Sequence, residues 1–376
     1  MRHFLATLTF YLKKKTLIRY FLKKIRQSVF ILLGVITLIF ILFNVIPADP
    51  ARMIAGQHAT TETLQNIREE LGLNKSPFAR YFHYLNDVLP FSWYSKNSDS
   101  FYFYDKAKYG GTQIYSASKW CFVAKWPYLG ESFQTQRDVR TVISQTFPNT
   151  LILAFSSIIL ASVLGIILGL LAAVFKDSFY DRVSLFVSAI GMSVPSFFAA
   201  IIIGWFFAIV LGKYTNLNLT GNLYEIDDFG RGKFLALKNL ILPSITLGIR
   251  PLAIVLQLTR NSLLDTLDQD YIRTAKAKGL SFFRVLYSHA LRNALNPVIT
   301  AISGWFASLM AGVIFVEYIF GWKGLGTVIV NSLNNQDTPL VTGCILTIAL
   351  LFIIVNILVD ILYSVLDPRI KQYEKN

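Results

Sequence analysis

YIRTAKAKGLSFFRVLYSHALRNALNP, residues 271–297, lies between two of the most apolar runs of the chain, 240–258 and 298–320. Its charges are all positive, its apolar residues recur at helical intervals, and Gly279 interrupts it near the middle. A soluble protein has no reason to bracket such a segment with two stretches of unbroken hydrocarbon character. A membrane protein does, because a helix that crosses the bilayer needs roughly 20 largely apolar residues. The spacing predicts two short amphipathic helices joined at Gly279. Tyr271, Ile272 and Ala275 share one face, and Phe282, Phe283, Leu286, Ala290 and Leu291 form a second. Arg273, Lys276, Lys278 and Arg284 project elsewhere.

Four further runs have the same character, 29–46, 151–175, 183–211 and 341–366, which makes six predicted spans. Composition agrees. Hydrophobic residues make up 54% of the 376 residues and charged ones 15%, with a mean hydropathy of +0.49. A soluble domain carries about 25% charge.

The net charge of +14 invites a nucleic-acid reading, but its placement argues for a membrane. The first 27 residues hold Arg2, Lys13, Lys14, Lys15, Arg19, Lys23, Lys24 and Arg26 with no acid. Basic residues crowd the cytoplasmic flanks of membrane helices. With the tail inside, the segments 1–27, 176–182, 260–297 and 367–376 carry 19 Lys or Arg, against five in the outside loops 213–238 and 321–340. Six spans with both termini in the cytoplasm satisfy that asymmetry, and nucleic acid is not an expected partner. The basic N-terminal region is too long for a secretory signal and is followed by a full-length span, so it is expected to stay as an anchor.

The organisation that follows is a basic tail (1–27), a first span (28–47), an extracytoplasmic region (48–140), a five-helix transmembrane domain (141–366) containing a cytoplasmic loop (263–297), and a C-terminal tail (367–376). Within the outer region, TETLQNIREELGL predicts a short amphipathic helix capped by Thr60 or Thr61 and stopped at Gly72. The segment 91–128 is dense in aromatics and has a Gly110–Gly111 turn. It reads as a hairpin-bearing insert or as an aromatic belt on the lipid interface.

Several residues inside the predicted spans are unusual. Pro195, in SVPSF, removes a backbone donor and is expected to kink the third span. Glu317 and Asp360 are acids near the ends of the fifth and sixth spans, and Arg250 sits in the middle of the fourth. Intramembrane charges face a polar interior or a partner. These four are candidates for a transport pathway or for polar contacts between helices, with Glu317 or Asp360 as a prospective partner for Arg250. Cys121 and Cys344 fall in the outer loop and the sixth span, which leaves no disulfide expected. No metal-ligand spacing, catalytic constellation or cofactor motif is present. GRGKF (230–234) and GWKGLG (321–326) both fail the spacing of a phosphate-binding loop. Uphill work by this chain would therefore draw on a partner or an ion gradient.

The stretch 271–297 resembles the cytoplasmic coupling loop of ABC importer permeases, and in particular that of the oligopeptide and dipeptide branch. There YVRTARAKGL, then VL, then HALRNAL and PV recur; here they read YIRTAKAKGL and VLYSHALRNALNPV. The general Glu-Ala-Ala pattern of such loops is matched only at Ala275 and Gly279, a departure that the peptide branch shares. IPADPAR, ELGLNKSPFARYFHYL, ISQTFPNTLILAF, VEYIFGWKGLGTVIVNSLNNQDTPLV and VNILVDILYSVLDPRI are similar to further segments of that branch, with Lys323 in place of a proline. The aromatic segment 91–128 has no counterpart in it.

The resemblance implies an all-α, six-helix polytopic membrane protein with the type I importer permease fold and a long extracytoplasmic loop between the first two spans. It implies residence in a bacterial inner membrane, no ATPase of its own, and a role as half of a pathway for peptides or peptide-like solutes. Nickel and glutathione are the alternatives within the family, and a proton-coupled secondary transporter using Glu317 and Asp360 is the alternative outside it. The implied partners are a second permease subunit, two ATPase subunits, an extracytoplasmic substrate-binding protein and membrane lipid. Tyr271, Arg273, Ala275, Lys276, Ala277, Lys278, Gly279 and Leu280 would form the surface that meets an ATPase.

Overall fold

The computed structural model describes residues 23–45, 51, 60–70, 72–226 and 232–366. The first 22 residues of the basic tail, most of IPADPAR and the tail 367–376 lie outside the described residues. The described residues fall into two compact units, one within 1–143 and 331–353 and the other within 144–330 and 354–376.

In the first unit, α1 (Lys23–Val45) opens on the basic Lys23, Lys24 and Arg26, is predominantly apolar from Val29 onward and ends in a π-helical turn, Ile41–Val45. α2 (Thr61–Glu70) follows, and Gly72 turns the chain with φ +64°. α3 (Pro77–Val88) starts on Ser76, whose Oγ accepts from Ala79 N, with proline in its first turn. It packs on α1. Tyr84, Leu85 and Val88 surround Ile36, Ile39 and Leu346, and the Tyr81 hydroxyl pairs with Thr37 Oγ1 at 2.6 Å.

The segment after α3 is a three-stranded antiparallel sheet of β1 (Phe91–Ser95), β2 (Thr112–Ser116) and β3 (Trp120–Ala124), in the order β1-β3-β2. The Gly110–Gly111 turn leads into β2, and Ala117 N bonds Trp120 O across the β2–β3 turn. One face of the sheet buries Tyr94, Cys121 and Val123 against Tyr104, Tyr109 and Tyr128. The Lys125 ammonium lies over the Tyr94 and Tyr109 rings and donates to the Asp87 carbonyl.

The second unit is built of long apolar helices: most of α4 (Val139–Val174), then α5 (Phe179–Ser193), α6 (Ser196–Gly204) with its π-helical continuation Trp205–Val210, and α7 (Lys238–Leu267). The short α8 (Asp270–Ala277) and α9 (Phe282–Val285) come next, followed by α10 (Arg292–Ile319). A two-stranded hairpin, β4 (Tyr224–Ile226) and β5 (Lys233–Leu235), precedes α7. α11 (Leu325–Asn334) and α12 (Thr338–Leu366) run through both units.

Glycines bring α4 and α7 together. A Cβ on Gly165 would meet Val255 Cγ1 at 2.7 Å, and one on Gly169 would meet Thr259 Cβ at 2.8 Å. This is the close approach that small residues four apart allow between membrane helices.

Among the described residues four helices are long and apolar enough to cross a membrane, or up to six if each of two bent pairs is one span. One bent pair departs from expectation. The run 183–211 is no single kinked helix: α5 and α6 meet at 113°. Val194 and Pro195 are both extended, Pro195 heads α6 as its N-cap, and the residue before a proline is driven out of the helical region. The second pair, 282–306 and 308–319, bends by 52°.

Candidate functional site

The stretch 271–297 folds as two helices around Gly279, and the turn explains the glycine. Leu280 N reaches back to Ala275 O at 3.4 Å and Gly279 N to Lys276 O at 3.0 Å, while Gly279 sits at φ +79°. This is a Schellman ending, in which a left-handed residue lets two terminal carbonyls find donors. Leu280 then packs on the cluster that holds Ala275, the hydrophobic contact that accompanies such a turn. Asp270 lies in the first turn of α8 and Lys276 in the last, both favourable to the helix dipole.

The inward face is anchored. Ile272, Ala275, Val285, Leu286, Ala290 and Ala294 pack with Ala173 of α4 and Leu263 of α7. The second apolar face differs from expectation. Val285 replaces Phe282 and Phe283, which turn outward and are exposed along with Tyr287. The π-helical run Leu286–Leu291 that follows α9 carries the buried Leu286 and Ala290.

Of the expected surface residues, Tyr271, Arg273, Lys276, Ala277, Lys278 and Gly279 are exposed, Leu280 is half-buried, and Ala275 is buried. The Tyr271 hydroxyl accepts from Asn293 Nδ2 at 2.9 Å, tying α8 to α10. Arg273 meets Asp270 at 3.5 Å in an exposed pair that contributes little. The outcome is a rigidly backed, basic and aromatic surface at one end of the α4–α7–α10 packing.

The other candidates are separate from this surface. Arg250 is exposed, and among the described residues no ion pair joins it to Glu317 or Asp360. Glu317 is 0% exposed and is occupied elsewhere: its Oε2 accepts from Gly326 N at 2.6 Å. That bond is one tie in a compact turn. Trp322, fully buried, donates from Nε1 to Asn149 O at 3.0 Å, Leu325 N donates to Thr150 Oγ1, and Asn149 Nδ2 donates to Lys323 O. A buried indole N–H needs such a partner. Asp360 is half-buried, and Pro195 stands at the break between α5 and α6.

Two polar links escaped the sequence. Arg260, near the end of α7, grips Asp181 of α5 through Nε to Oδ1 at 2.6 Å and Nη2 to Oδ2 at 2.7 Å. Asp181 also accepts from Asp177 N. Gln257 Nε2 donates to Ser188 Oγ at 2.8 Å. The second acid of KDSFYDR and an arginine just after an apolar run were visible, but not their pairing across 79 positions. Among the described residues no three His, Cys, Asp or Glu side chains are grouped to hold a metal.

Long apolar helices with a short, glycine-turned basic pair packed on them are the build of a membrane transport subunit. Residues 165–372 match the family described as "Binding-protein-dependent transport system inner membrane component", and residues 17–100 match the N-terminal component of such systems. The chain belongs to this family of permeases. It is 31% identical to the dipeptide transport system permease protein DppB of Alkalihalophilus pseudofirmus over 94% of this chain and 100% of that protein. It is 30% identical to the glutathione transport system permease protein GsiC of Salmonella choleraesuis, over 94% of this chain and 99% of that one. A solved chain of the inward-facing MetNI methionine ABC transporter aligns with a TM-score of 0.48 at 15% identity, over 60% of this chain and 96% of that chain. Strands β2 and β3 fall in the interval between the two family matches.

Proposed function

We propose that this permease forms half of a peptide-conducting pathway, together with a second permease subunit, two ATPase subunits and an extracytoplasmic binding protein. The surface around Gly279 would be where ATP-driven movement enters the chain. The observation that carries this reading is the division of labour in 271–297. One face is locked into the helix packing through Ile272, Val285 and Leu286, while Tyr271, Lys276, Lys278, Phe282, Phe283 and Arg284 stay uncovered. A short amphipathic helix so held transmits a push from a groove on a partner, because it does not yield against its own support. Both termini and this surface then lie in the cytoplasm, supported by the basic bias of those segments. The membrane domain runs from 141 to 366, and 48–140 faces the other side.

Peptides are the substrate class favoured by the dipeptide permease among the relatives, and glutathione, itself a peptide, is the second reading. Arg250, exposed on an apolar helix, is a candidate for the pathway wall, since a lone charge is costly against lipid. A proton-coupled carrier is less well supported, because Glu317 holds the 320–326 turn together.

The test is uptake of labelled di- and oligopeptides and glutathione into proteoliposomes holding the whole assembly. The expected outcome is uptake that requires ATP and the binding protein, and that Gly279→Leu abolishes without loss of membrane insertion. Full uptake by Gly279→Leu would refute the coupling assignment. Uptake that persists without ATP and collapses with the proton gradient would refute the ATP-driven reading.

A further inference from the structure

The small sheet after α3 has two unlike faces. One is covered by the 97–110 segment, whose outer residues Asn97, Ser98, Asp99, Asp105, Lys106 and Lys108 are polar and exposed. The other carries Phe91, Trp93, Trp120 and Phe122, with Tyr115 beside them, and no described residue covers it. The Trp93 and Phe122 rings are 4.9 Å apart, Phe91 stacks on Phe122 at 6.2 Å, and Tyr115 meets Trp93 at 6.4 Å. A contiguous aromatic patch of this kind marks an interaction surface.

What covers it follows from where α3 sits. Tyr81 bonds Thr37, eight residues before the end of α1, and meets Phe40 edge-on at 5.2 Å, with Tyr84 tilted against the same ring at 5.8 Å. The cluster that holds Tyr84, Leu85 and Val88 includes Leu346, eight residues into α12. At 1.5 Å per residue both positions are about 12 Å inside the ends of membrane-crossing helices. α3 is therefore held at the depth of lipid, not above it. On the flank of that packed face, Phe78 and Phe82 are 78% and 58% exposed. The sheet is fixed to that depth in turn. Asn86, in the last turn of α3, donates from Nδ2 to Trp93 O at 2.6 Å and accepts from Trp93 N at 3.1 Å.

We propose that α3 and the uncovered aromatic face of β1–β3 form an in-plane anchor seated in the phospholipid interface of the leaflet in which α1 ends. Aromatic rings favour that layer, and apolar-versus-charged faces are what an interfacial element needs. Lys96 and Lys119, exposed side by side at the edge of the sheet next to Trp120, are placed to reach lipid phosphates. The anchor stands independently of the transported solute.

The test uses the full permease assembly in nanodiscs of phosphatidylcholine and phosphatidylglycerol brominated on the acyl chains near the headgroup. The emission lost in the double variant Trp93→Phe, Trp120→Phe reports those two indoles. That emission is expected to be quenched by brominated lipid and spared by aqueous iodide. Phe82→Trp, a second variant, should add emission that brominated lipid quenches. The proposal is overturned if Trp93 and Trp120 respond to iodide and not to brominated lipid. It is equally overturned if shielding from iodide appears only when the substrate-binding protein is added, which would make this face a protein dock.

Discussion

At Gly279 the chain holds φ at +79° while the space around the α-carbon is empty. A larger side chain there meets no neighbour, so the cost of replacement is one of backbone conformation. The left-handed region disfavours ordinary L-residues by about 1–2 kcal/mol, and Asn tolerates it better than Ala. Gly279→Asn is expected to retain most of the ATP-driven uptake that Gly279→Ala loses, measured in the same proteoliposomes. Equal loss in both would point to the added side chain blocking a partner instead. Lys125 makes a second residue-scale prediction. Burial among Tyr94 and Tyr109 lowers its ammonium to about 8, with Asp87 opposing and Arg140 adding to the effect. The unfolded chain holds that proton until about 10.4. Between those values the folded state binds fewer protons than the unfolded one, so stability rises with pH above about 8 and is lost as pH falls through it. The thermal unfolding midpoint of the detergent-solubilised protein should climb between about pH 8 and 9.5, and Lys125→Met should flatten the climb. Above about 10 the trend reverses, because burial pushes Tyr128 up to about 12 and an unfolded tyrosine ionises first.

Helices were legible wherever periodicity or an unbroken apolar run wrote them, and illegible where a contact distant in sequence decided the outcome. Gly279 could be read as a turn because its effect is local. Pro195 could be read as a disturbance, but not that Val194 and Pro195 would both leave the helix and open 113° between α5 and α6. Phe282 and Phe283 look like core by composition, yet Val285 takes the inner position because one turn of α9 has room for only one direction inward. The arginine that stood out, Arg250, has no ion pair among the described residues, while Arg260, one basic residue among those of the segment 260–297, holds Asp181. Asp181 is 2% exposed, and removing one member of a buried pair strands the other charge. Asp181→Ala should therefore lower unfolding stability by about 3 kcal/mol, while Asp181→Ala with Arg260→Met should recover part of that loss. A double-mutant cycle on thermal or denaturant unfolding measures it; strict additivity would mean that the pair does not bind α5 to α7.

For the molecule as a whole, the partition of 271–297 into a buried and an uncovered side separates folding from the coupling proposed for this surface. Ile272 and Val285 are fully buried beside Ala173 and Leu263, so trimming them leaves a cavity where α4, α7 and α8 meet. Large-to-small replacements of this kind cost about 2–5 kcal/mol for an isoleucine. Phe283 is 69% exposed and supports no other part of the chain's core, so a polar residue there should leave unfolding nearly unchanged. The two substitutions are expected to fail in opposite ways. Ile272→Ala should unfold at lower temperature and lose uptake in proportion to the folded protein lost. Phe283→Asp should melt like the parent chain yet bind the ATPase subunits weakly, which co-purification and the stimulation of ATP hydrolysis by substrate-loaded binding protein would both register. If Phe283→Asp keeps full stimulation, force enters the permease through some surface other than the one that Gly279 turns outward.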